Sequence, residues 1–232
     1  SGKTTLLRLV SGLYTPSARS VSIDGVDLQQ IEPAELRSHI GYIGQEPQLF
    51  MGTIRENLVL SDTWISDTKL IEVLQSLDLY NVVAAHPRGL DMPLTEAGGG
   101  VSGGQRQLLA VARMMLRNPT FVFMDEPTSH MDQNTEARVI SVLGEWLKGR
   151  TVILATHKLQ LLVWVDSIAV LERGEILIEG PRDQVLKQLK TGISATGRRE
   201  RAPRASKATP ASPTNSSDSS AQESRPAVVQ TI

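Results

Sequence analysis

Cysteine is absent from the 232-residue sequence, which excludes disulfides and thiolate metal sites and leaves any metal to oxygen or imidazole ligands. That ligand set suits magnesium and a reducing compartment. An excess of charge is also missing: 24 Lys+Arg stand against 25 Asp+Glu, a formal net charge of -1. No bulk field therefore draws the chain to nucleic acid or to an anionic membrane face, although charge can still be local. No window offers the roughly 18 uninterrupted apolar residues of a membrane helix. The nearest, residues 151–171, is broken by His157, Lys158, Gln160 and Asp166 and reads as strand, turn, helix and strand. Beyond Gly192 large apolar residues nearly vanish in favour of Ser, Ala, Pro, Thr and Arg, so residues 192–232 are expected to form a disordered tail. Its basic residues Arg198, Arg199, Arg201, Arg204 and Lys207 read as a solvated linker, with contact to anionic lipid or nucleic acid as the alternative. Over the full sequence, 40% hydrophobic and 21% charged content fits one globular domain, placed at residues 1–191, plus a less ordered part.

What the sequence does hold is concentrated between Val101 and Asp132, in VSGGQRQLLAVARMMLRNPTFVFMDEPTSHMD. Ser102, Gly103, Gly104 and Gln105 form a corner poor in side chains. The Ser102 hydroxyl can cap a helix, the glycines admit a ligand close to the backbone, and a helix start attracts anions. Leu108, Leu109, Val111, Ala112, Met115 and Leu116 fall at near-helical spacing, and Asn118-Pro119 ends the run. Residues 121–124 then read as a buried parallel strand that delivers Asp125 and Glu126 at its carboxyl end, where ligands sit in open α/β sheets.

At the other end, Ser1-Gly2-Lys3-Thr4-Thr5 is the back half of a phosphate-binding loop, GxxxxGKS/T. In such a loop backbone N–H groups cradle phosphates, Lys3 reaches the β and γ phosphates and Thr4 offers its hydroxyl to magnesium. Taken alone, SGKTT fits an ordinary helix start equally well. The chain opens on Ser1 inside this motif, so the strand feeding the loop is expected upstream, and the 232-residue chain by itself is expected to hold ATP weakly.

In this order the motifs resemble those of the ATP-binding cassette (ABC) family, with SGGQ as the signature, FVFMD as the Walker B strand and Glu126 at the catalytic glutamate position. The implied fold is α/β: a P-loop NTPase core with a parallel sheet flanked by helices, and a helical subdomain near residues 55–118. The implied activity is ATP hydrolysis, which needs the γ-phosphate charge offset, an in-line water and a group that orients or deprotonates it. The resemblance gives ATP binding to Ser1, Gly2, Lys3, Thr4 and Thr5 and, from an opposing subunit, to Ser102, Gly103, Gly104, Gln105 and Asp132. It gives Mg2+ to Thr4, Gln45 and Asp125, and catalysis to Glu126, His157 and Gln45. GYIGQEPQLFMGTIRENL resembles the family's Q-loop, with Gly44 where many relatives have proline. PTSHMD resembles its D-loop, with His130 and Met131 replacing the common residues.

The signature implies a second nucleotide-binding domain, ATP lying between two cassettes, and a transmembrane domain fused upstream. TEAGGG before the signature is similar to the coupling loop of exporters, with Gly99 in place of an acid. That segment, MDEPTSHMD and the run 154–186 look most like the ATPase/permease of type I secretion systems, at the cytoplasmic face of the bacterial inner membrane. A lipid, drug or peptide exporter is the alternative. A chromosome-maintenance ATPase would need long heptad arms between residues 5 and 102, which are not there, and no specific nucleic-acid partner is expected.

Overall fold

The computed structural model describes residues 2–18, 20–60, 64–190 and 227–230. Helix α1 (Lys3–Val10) starts at the phosphate-loop residues, with Gly2 as its N-cap at φ 94°, a left-handed conformation that glycine adopts without steric cost. A two-stranded ribbon, β1 (Ser22–Ile23) and β2 (Val26–Asp27), precedes α2 (Pro33–His39), which proline opens, and β3 (Ile40–Ile43). There follow β4 (Gly52–Thr53), α3 (Ile54–Val59), α4 (Asp67–Ser76), α5 (Tyr80–Ala84), β5 (Pro93–Leu94), α6 (Gly103–Arg117), β6 (Phe121–Asp125), α7 (Gln133–Trp146) and β7 (Thr151–Thr156). The chain continues through β8 (Ser167–Glu172), β9 (Glu175–Pro181) and α8 (Arg182–Lys190) to β10 (Ala227–Gln230).

The main sheet has the order β3-β6-β7-β10-β8-β9, parallel except where β9 runs antiparallel on β8. Its central strands are covered on both faces, as parallel strands require. Successive side chains alternate between the faces. Phe123 and Ala155 join Leu7 of α1 and Ile40 in one cluster. Val122, Met124 and Leu154 join Leu109 and Val111 of α6 and Val139 and Leu143 of α7 in the larger one. Helices α3, α4 and α5 extend that larger core through contacts with α6 and with one another. Leu58, Leu70, Leu74 and Leu77 are fully buried there. By the area rule each stabilises the fold by about 1.5–3 kcal/mol. No helix among the described residues is long and apolar enough to cross a membrane.

Three expectations change. The helix foreseen within residues 151–171 is a 3-10 turn, Leu159–Trp164. On α7 the spacing of Ala137, Ile140, Leu143 and Leu147 predicts the covering face, whereas the buried stripe is Glu136, Val139 and Leu143, with Ala137 outside it, so a carboxylate occupies a core-facing position. The third correction concerns the tail, most of which lies outside the described residues. Ala227–Gln230, expected to lack structure, pair in parallel with both β7 and β8. Two β-branched valines suit a strand, and the slot between two parallel strands supplies backbone partners on both sides. Helices α3 and α5 are too short to show a clear period. The capping box of Thr53 and Glu56 is the signal that marks α3.

Candidate functional site

Strands β3, β6 and β7 run in the same direction, so the residues following them emerge at one edge of the sheet. Asp125 closes β6 and Glu126 follows it, while Thr156 closes β7 and His157 follows it. Helix α1 packs on these two strands and brings Lys3 and Thr4 to the same edge.

The Glu126 backbone N–H donates to the Ala155 carbonyl at 2.9 Å, while its φ of 47° turns the chain sharply out of the strand. Left-handed conformations in residues other than glycine are uncommon and collect at functional sites. The turn presents a carboxylate only 9% exposed to three partners. Lys3 Nζ lies 3.4 Å and His157 Nδ1 2.8 Å from Oε1, and the buried Thr156 hydroxyl donates to Oε2 at 3.1 Å. A carboxylate oxygen accepts only, so His157 must carry its proton on Nδ1, leaving Nε2 for a ligand on a ring whose side chain is 67% exposed.

Asp125 faces another way. It is 2% exposed and accepts from the Thr4 hydroxyl at 2.5 Å. One carboxylate therefore lies beside a hydroxyl, and its neighbour beside an ammonium and an imidazole. The Thr4–Asp125 pair fits Mg2+: both donors are hard oxygens, and magnesium bound with phosphates needs only one or two protein ligands besides water. The described residues contain no group of three His, Cys, Asp or Glu able to cage a metal without such help. Gln45, two residues past β3, is exposed at the same edge and has no hydrogen bond to these groups. Thr5 is exposed on α1, and Ser1 lies outside the described residues.

The Ser102–Gln105 corner forms a separate site. Ser102 Oγ accepts from the Gln105 N–H at 3.2 Å, and Gln105 Oε1 accepts from the Ser102 N–H at 2.8 Å, a reciprocal capping box at the start of α6. A Cβ on Gly104 would stand 3.1 Å from the His130 carbonyl oxygen, so the 127–132 loop approaches the start of α6 closely there. Asp132 caps α7, accepting from the backbone N–H groups of Asn134 and Thr135 at 3.0 Å and from the Thr135 hydroxyl at 2.6 Å. The Thr135 hydroxyl first, then the backbone donors, hold its carboxyl below the usual range. Neither Ser102 nor Asp132 touches the Glu126 cluster of its own chain.

Sequence reasoning passed over the residues that join the two. Gln107, fully buried on α6, donates to the Glu126 carbonyl at 3.1 Å and to Ser129 Oγ at 3.3 Å, and accepts from the His130 N–H at 3.0 Å. Its readable signal is position: it lies on the α6 face shared by Val111 and Met114, where an amide must find buried partners.

Residues 1–129 match the family model described as ABC transporter. An ABC transporter ATP-binding protein of Sinorhizobium fredii is 35% identical over 188 residues, covering 81% of this chain and 32% of the relative. Multidrug resistance protein 1 of Entamoeba histolytica is 36% identical, over 80% of this chain and 14% of its own. Among solved structures, a bacterial Atm1-family ABC exporter with ATP bound matches with TM-score 0.75 and 29% identity, over 81% of this chain and 33% of that one. The chain thus spans a third or less of the length of these proteins. With the match covering more than half of its length and the phosphate-loop, Walker B and signature residues placed as described, the chain belongs to the ABC transporter family.

Proposed function

We propose that this chain is the ATP-hydrolysing cassette of an exporter and that residues 1–191 make up the cassette. One observation carries the reading: Lys3, Thr4, Asp125, Glu126, Thr156 and His157, from three distant segments, meet at one sheet edge with the two carboxylates in different surroundings. Lys3 offsets phosphate charge, while Thr4 and Asp125 hold Mg2+, which supplies Lewis-acid stabilisation of the phosphates. Glu126 accepts a proton from the attacking water, His157 meets the γ phosphate through Nε2, and exposed Gln45 completes the shell when nucleotide is bound.

The exposed capping corner is the half-site for a second cassette: Ser102, Gly103, Gly104, Gln105 and Asp132 face the γ phosphate held by the partner's Lys3 loop. A membrane partner docks on the loop after Gln45. There Phe50 and Met51 are 58% and 76% exposed, while the backbone behind them is pinned by Asn57, whose side chain bonds both backbone groups of Phe50. Such a partner places the cassette at the cytoplasmic face of a membrane, in a bacterium the inner one. The residues around TEAGGG and MDEPTSHMD favour a type I protein secretion ATPase. A drug, peptide or lipid exporter is the second reading, supported by the 36% identity to a multidrug resistance protein.

The test is Glu126→Gln in the intact protein. ATP affinity should stay within about twofold while steady-state hydrolysis falls by about a hundredfold or more, the range seen when one group acting on a transition state is removed. Undiminished turnover would reject the role of Glu126.

A further inference from the structure

The turn after Glu126 and the strand end that carries its imidazole partner are fastened to one ammonium group. Lys158 follows His157 directly. Its backbone N–H donates at 3.0 Å to the same Thr156 hydroxyl that donates to Glu126 Oε2. Its Nζ reaches across to the loop that leaves Glu126, donating to the Thr128 carbonyl at 2.9 Å and to Thr128 Oγ1 at 3.3 Å. The third donor goes to Glu136 Oε1 of α7 at 2.6 Å. All three protons of the ammonium are therefore used.

Glu136 is equally saturated. Oε1 also accepts from the Thr128 hydroxyl, and Oε2 accepts from Gln160 Nε2 at 2.7 Å. The side chains of Lys158 and Glu136 are only 21% and 8% exposed. A buried ion pair is weak evidence for stability, because apolar residues of similar volume often do as well. What this pair does supply is geometry. It ties the 126–128 turn, with Glu126 in a left-handed conformation, to the 156–158 segment bearing Thr156 and His157.

We propose that Lys158, held by Glu136, is a positioning residue for hydrolysis: it fixes the distance between the Glu126 turn and the His157 segment, so that carboxylate and imidazole face one phosphate together. The inference rests on the role given to Glu126 above. Lys158 touches neither Glu126 nor a nucleotide position, so it acts through the two segments it joins, and its loss should change the rate of the chemical step more than ATP binding.

The experiment compares Lys158→Met, Glu136→Gln/Lys158→Met and Glu126→Gln in the intact protein. Steady-state kinetics, ATP affinity by titration with a fluorescent nucleotide and thermal melting are measured for each. The double variant removes both charges, so no buried carboxylate is left unpaired if Lys158→Met alone fails to fold. The expected result is a kcat loss of about tenfold to a hundredfold in the folded double variant, the scale of a small misplacement of reacting groups, with KM and ATP affinity within about twofold. Wild-type kcat in the folded double variant would overturn the proposal, as would a rate loss that only follows the unfolded fraction. If Glu126→Gln is inactive while the double variant is fully active, only the role of Lys158 fails. If Glu126→Gln itself turns over normally, the reading beneath it fails too.

Discussion

The carboxylate cluster at the ends of β6 and β7 and the serine corner at the start of α6 are built on opposite plans. In the cluster the bonds span the chain: Lys3 meets Glu126 across 123 residues and Thr4 meets Asp125 across 121. In the corner both capping bonds join residues three apart. The cluster thus exists only once the sheet has formed, whereas the corner is a local helix start whose exposed serine bonds to Gln105 and to none of the Glu126 cluster. This difference is what the shared site proposed above demands. One half must be assembled by the fold, and the other must stay open for a ligand held elsewhere. Gln107 links them, bonding from the corner's own helix to the Glu126 carbonyl.

The comparison breaks most sharply at Asp125. Changing Asp125 to Asn keeps the shape but removes the charge facing Thr4, so hydrolysis should fall by about a hundredfold or more. A magnesium titration of the residual rate should be displaced to higher concentration. An unchanged magnesium requirement would take Asp125 out of the metal's shell.

A smaller effect separates the two regions by acid. Burial works to raise the Glu136 carboxyl, but the hydrogen bond from Lys158, then that from Thr128, outweigh it and hold the group below its ordinary value. Asp132 at the α7 cap is also held low, there by Thr135. A folded value below the unfolded one contributes stability that is complete above the unfolded value and lost as pH falls through the folded one. Melting curves taken from neutral pH into the carboxylate range should therefore lose stability on acidification. Glu136→Gln should flatten that loss more than Asp132→Asn, because Glu136 is buried and Asp132 exposed. Equal slopes for the parent and both variants would contradict this assignment of acid sensitivity.

Much of the cluster is legible in the sequence, because strand periodicity followed by acids, and a lysine at a helix start, are local patterns. The strands 121–125 and 151–156 fall where apolar runs place them. What stayed hidden depends on tertiary partners. Glu136 and Lys158 look like solvated polar residues until the elements opposite them are known, and their task is to satisfy one another and the turns they join. The strand at Ala227–Gln230 was hidden for a similar reason. A run of four gains its backbone partners from β7 and β8, which sequence alone does not place beside it.

The most direct measurement of a site shared between two copies mixes two inactive variants of the intact protein, Glu126→Gln and Ser102→Arg. In a mixed dimer one site would join the variant glutamine to the blocked corner, and the other would join an intact glutamate to an intact serine. Random pairing should then restore about a quarter of the parent ATPase rate, since half of the dimers carry one sound site of two. No activity above that of the separate variants would contradict the account.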